Sequence, residues 1–197
     1  MNNTILLVTF LGLIASAGFI SSNYVITRKW ILILQGIGMA GVGSMFAVRA
    51  VTENIPSFWG VTAVNALFLV RNIWLYFREK HLGAKGVTDK ERVTTTWVFM
   101  FIILTTYLAV TPIPSNWSMS FDVALFILPF VAAITNVLGV GQSKIIRLKW
   151  FILLSVSSWL AFDILVGAWQ TLIGDTFSAI ALIISLYRVK QNSILKP

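Results

Sequence analysis

Three residues in one stretch, Ser155, Trp159 and Asp163, recur every four positions, the spacing that stacks side chains along one face of a helix. Phe162 stands beside them. An acid one turn beyond an aromatic plane suits a sugar or nucleoside ring, which can stack on the indole while hydroxyls or an amine meet the carboxylate. A plainer reading has Trp159 packing against a neighbouring helix and Asp163 reaching an interface. A second stretch carries Asn65 and Asn72, seven apart and nearly on one face, with Arg71 about 100° away. Arg71 is long enough to snorkel to a headgroup layer; an internal partner or an anion would serve it equally. A third stretch sets Asp122, Pro129 and Asn136 at intervals of seven, and its proline removes a backbone donor in mid-run. The candidate substrate-binding residues are therefore Asn65, Arg71, Asn72, Asn136, Trp159 and Asp163. Asp175, near the start of the following run, reads first as an acid at the positive end of a helix dipole.

No catalytic constellation accompanies them. The chain has no cysteine, which excludes disulfides and thiolate metal sites, and its one histidine, His81, lies in a charged stretch. A His-Glu metal motif, a Gly-Lys-Ser/Thr phosphate loop and a nucleophile with a histidine base are all missing. The expectation is a non-enzyme that uses no metal and no cofactor.

What must position these polar groups is a membrane. Hydrophobic residues make up 57% of the 197 and charged residues only 11%, well below the quarter or so of soluble domains. The apolar residues come in blocks of about twenty, the length that crosses a bilayer. Seven such runs are read: 5–26, 30–48, 57–77, 94–111, 121–140, 148–168 and 171–187. The interval 79–93 reads as the longest polar loop, and 112–120 as a short uncharged one. This predicts an all-α polytopic protein, one integral membrane domain over 1–197.

The net charge of +8 could suggest nucleic acid, but its placement argues otherwise. Apart from Arg49 and Arg71, the basic residues fall in alternate gaps: at 28–29, at 78–92, at 144–149 and in the tail. That is how Lys and Arg are retained in cytoplasmic loops. It predicts an external N-terminus, a cytoplasmic C-terminus and no nucleic-acid partner. The partners expected are the lipid bilayer and a small solute; a homo-oligomer stays open.

Lys149-Trp150-Phe151-Ile152-Leu153-Leu154 echoes Lys29-Trp30-Ile31-Leu32-Ile33-Leu34, and Leu186-Tyr187-Arg188 echoes Leu75-Tyr76-Phe77-Arg78. The echoes predict two three-helix units, 5–78 and 121–188. A linker helix at 94–111 lets both enter the membrane in the same sense, as parallel repeats. A Lys-Trp start and a Tyr-Arg end are also ordinary interfacial anchors. This 3+1+3 plan resembles that of SWEET sugar facilitators and PnuC-type vitamin transporters.

The second half resembles more closely the YgjV family of bacterial inner-membrane proteins. Leu128-Pro129, Lys144, Arg147, Trp150, Ser155, Ser158-Trp159, Gly167 and Arg188 carry that likeness, with Arg71 in the first half. The Pro-Gln pair of the PQ-loop relatives is missing. The resemblance implies a bacterial inner membrane location. Through the wider superfamily it also implies alternating-access facilitation of a sugar, nucleoside or vitamin-like solute. The competing reading is a non-transporting scaffold, partner subunit or receptor.

Overall fold

In hydrocarbon a backbone has no water to bond, so an apolar run must close its own hydrogen bonds as a helix. Each of the seven runs does so: α1 (Asn3–Tyr24), α2 (Arg28–Thr52), α3 (Ser57–Leu82), α4 (Asp89–Val110), α5 (Phe121–Val140), α6 (Ile145–Val166) and α7 (Trp169–Ile194). The computed structural model describes residues 3–25, 28–82, 88–113, 121–142 and 144–194, among which there is no strand. All seven helices are long and apolar enough to cross a membrane.

The helices form a ring in chain order. α1 packs on α2 and α7, α2 on α3, α5 on α6, and α6 on α7; α3 touches α5 directly, and α4 contacts both α3 and α5. Glycine sets a close seam between α1 and α2. A Cβ on Gly18 would stand 2.6 Å from the Gly38 backbone nitrogen, and one on Gly41 would stand 2.8 Å from that of Ala15. Such small-residue faces let two backbones approach where lipid supplies no hydrophobic drive. Gly43 faces α3, where a Cβ would stand 3.4 Å from Asn65 Cβ. Gly167 ends α6 in the left-handed region (φ +63°), and α7 begins two residues later.

The reading of 79–93 as a long polar loop is corrected. α3 runs on to Leu82 and α4 starts at Asp89, leaving 83–87 outside the described residues, as are 114–120 of the expected external loop. The cause is local chemistry that polarity alone disguises. The Glu91 backbone N–H donates to Thr88 Oγ1 at 3.2 Å, and the Thr88 N–H donates to Glu91 Oε2 at 3.1 Å. This is a capping box. Arg78 Nη2 donates to the other Glu91 oxygen at 2.8 Å, tying the end of α3 to the start of α4. Thr88→Ala is expected to cost about 1 kcal/mol and to speed amide hydrogen exchange over the first turn of α4. Unchanged exchange there would show the box to be idle.

Candidate functional site

Polar groups buried in an apolar bundle gather where they can satisfy one another or enclose space. Here they enclose a cavity of about 40 Å³ in the middle of the ring. Six of the seven helices line it; α4 alone does not. That volume holds a few waters but no sugar ring, so the bundle is closed.

Four of the six candidate residues line this cavity: Asn65 from α3, Asn136 from α5, and Trp159 and Asp163 from α6. The Ser155–Trp159–Asp163 stripe faces inward as the spacing predicts, with Ser155 donating to the Ala132 carbonyl of α5 at 2.9 Å. Trp159 meets Phe162 edge-on, ring centroids 5.7 Å apart. Asp163 is 2% exposed, which rules out its reaching an interface. It makes a hydrogen bond with Thr171, while its Oδ2 has no hydrogen-bond partner.

Arg71 and Asn72 do not line the cavity but stand behind it. Arg71 is 2% exposed and so does not snorkel. Its Nη2 donates to Asn136 Oδ1 at 2.9 Å and to Asn72 Oδ1 at 3.1 Å, and its guanidinium lies 4.8 Å over the Phe68 ring. Asn72 Nδ2 in turn lies 3.5 Å from the Leu32 carbonyl of α2. The group is a buried strut joining α3 to α5, and Asn136 belongs both to it and to the cavity wall. The expected shared face of Asp122, Pro129 and Asn136 holds for the last two; Asp122 is exposed. Tyr107 of α4 donates to the Phe126 carbonyl at 2.7 Å, in the turn that Pro129 loosens.

Asp175 is corrected. It lies beyond the first turn of α7, which holds no acid, and its side chain lines the cavity close enough to Asp163 for the two carboxyls to interact.

Toward the end where α2 and α6 finish, the cavity is closed by rings. Phe46 lines it and stands 5.0 Å from Phe58 and 5.8 Å from Phe162, centroid to centroid. Phe58 also lines an open vestibule of about 640 Å³. Arg49 latches this layer. It pairs with Glu53 at 2.6 Å, lies 4.8 Å from the Phe58 ring, and donates to the Val166 carbonyl at the end of α6 at 3.3 Å. Toward the other end stand Asn23 and Gln35, both buried, and Lys149, whose Nζ donates to the Asn23 carbonyl at 2.9 Å.

Residues 87–193 match Imp-YgjV, a family of bacterial inner membrane proteins. The chain belongs to this family. The match runs through α4 to α7 and includes Asn136, Trp159, Asp163 and Asp175, while Asn65, Arg71 and Asn72 precede it. With seven spans, this Imp-YgjV protein is a multi-pass protein of the inner membrane. No curated protein and no solved structure matches the chain.

One residue of this Imp-YgjV cavity, Gln35, and two that stand beyond its ends, Lys149 and Arg49, escaped the sequence reading. Gln35 carried the same signal as Asn65, an amide inside an apolar run. Lys149 was hidden in a basic cluster that reads as interfacial, and Arg49 was marked only by lying away from the other basic residues.

Proposed function

We propose that the protein is a small-solute transporter, a facilitator working by alternating access. The observation that carries this is the small central cavity with amides and carboxyls in a largely apolar wall, bounded by α1–α3 and by α5–α7, with four candidate residues in its lining. α2 packs on both α1 and α3 as α6 packs on both α5 and α7, and α4 bridges α3 and α5 without lining the cavity. That arrangement favours two parallel three-helix repeats joined by α4, as in the SWEET and PnuC plan. Rocking one unit against the other would enlarge the cavity and expose it at either end. The solute is then of sugar, nucleoside or vitamin-like size, stacked on Trp159 and bonded by Asp163 and the amides. We further assign the N-terminus to the outside and the basic ends to the cytoplasm, by the charge bias. No enzymatic role, cofactor or nucleic-acid partner is part of this reading.

The test is flux of candidate solutes into vesicles carrying the purified protein. Asp163→Asn and Asn65→Ala are expected to lower the flux of the right solute at least tenfold, the loss of about 1.4 kcal/mol or more. If neither changes any flux, while deletion within 78–92 abolishes function in cells, the protein is a scaffold or receptor.

A further inference from the structure

Asp163 and Asp175 pose a question that solute binding leaves open. Both are buried carboxyls, 2% and 9% exposed, in the wall of one cavity and close enough to act on one another. No lysine or arginine is among the residues lining it. Two carboxylates together in a water-poor site cannot both stay ionised without a positive charge between them.

The surrounding cations do not supply one. Arg49 on α2 acts on Asp163 from beyond the aromatic layer, but its charge is matched by Glu53, with both guanidinium–carboxylate bonds at 3.0 Å or less. Lys149, about four turns back along α6, reaches the Asn23 carbonyl, and Arg71 on α3 is turned to Asn72 and Asn136. α1 carries no charged side chain, and α5 has only exposed Asp122. Arg188 on α7 lies over the Tyr24 ring at the far end.

Helix position makes the matter worse for a bare carboxylate. Asp163 is in the last turn of α6, where the dipole opposes negative charge, and Asp175 is past the turn of α7 where it would help. Asp163 Oδ2, buried, without a hydrogen-bond partner and at the cavity wall, is a place where a proton can sit.

We infer that Asp163 and Asp175 hold one proton between them in the closed state, and that this proton is a co-ligand of the transport cycle. Its role as co-ligand rests on the transporter reading; the protonation itself does not. When the cavity opens to water, the O–H bond of the shared acid breaks and the proton passes to water, leaving two hydrated carboxylates. Reclosing requires a proton from whichever side is open. A proton fits better than a metal ion. Two carboxylates and one threonine hydroxyl are a thin shell for a hard cation, which takes roughly six oxygens, and no cluster of three His, Cys, Asp or Glu exists among the described residues.

Infrared difference spectroscopy of the full chain in lipid nanodiscs tests this with no solute present. The expected result is the carbonyl stretch of a buried, protonated carboxyl at neutral pH, lost in Asp163→Asn/Asp175→Asn and kept in Asp122→Asn. Should the double variant not fold, either single variant must shift or abolish the band. Three results overturn the inference: no such band at neutral pH, a band unmoved by these substitutions, or a band that vanishes when sodium chloride replaces choline chloride. The last would make sodium the occupant. A band without solute flux would instead leave the proton site standing and remove the transporter reading.

Discussion

Gly18→Val and Gly41→Val are each expected to prevent the bundle from reaching a stable fold. Already a Cβ at position 18 would meet the Gly38 nitrogen at 2.6 Å and the Leu34 carbonyl at 2.8 Å. At position 41 it would meet the Ala15 nitrogen at 2.8 Å and the Leu11 carbonyl at 2.9 Å. These are backbone atoms, so neither contact is relieved by a side-chain rotation; α1 and α2 must separate. Overpacking alone costs about 1–3 kcal/mol, and the branched valine adds atoms beyond the Cβ. Separation also forfeits close packing along the seam, the main source of helix association in lipid. Gly36→Ala is the contrast, since its Cβ would touch only a Leu69 methyl at 3.4 Å. Thermal unfolding in detergent should show the two valine variants aggregated or melting far below the parent, and Gly36→Ala close to it. A Gly18→Val protein with the parent's melting temperature would contradict the seam.

Asn136→Leu is the second large effect. It removes the 2.9 Å acceptor from a guanidinium that is 2% exposed. Taking one partner from a buried charge costs about 3–5 kcal/mol, whereas replacing the whole polar group by apolar residues is often neutral. The single variant should therefore be destabilised by an amount in that range, with Asn72 still bonded to Arg71 placing it toward the lower end. Arg71→Met combined with Asn136→Leu should recover much of the loss, a non-additivity that a double-mutant cycle reads directly. Additive losses would mean that the strut between α3 and α5 is not a coupled unit.

The helices were legible because length and apolar content decide spanning before any packing is known. Their ends were less so. Thr88 and Glu91 look like loop residues until their spacing is taken as a cap. Asn65, Asn136, Trp159 and Asp163 were legible as polar or amphipathic groups in apolar runs, where burial without a partner is costly. Arg71 was visible but its role was not, because snorkelling and pairing differ only in where the neighbouring helix stands. Asp175 was misassigned for a related reason: the start of α7 at Trp169 places the residue past the first turn, and the rotation of α7 turns it inward. Gly18 and Gly41 are small residues in apolar runs, but which helix each meets is a property of the ring.

The central claim is that this cavity opens alternately to the two sides of the membrane. Because the chain has no cysteine, a single Asn65→Cys protein places the only thiol on the cavity wall. A membrane-impermeant maleimide is then applied to either face of oriented vesicles. The account predicts reaction from both faces, slower than for a thiol at an exposed position outside the spans such as Lys80. Reaction from one face alone, or from neither, would contradict it.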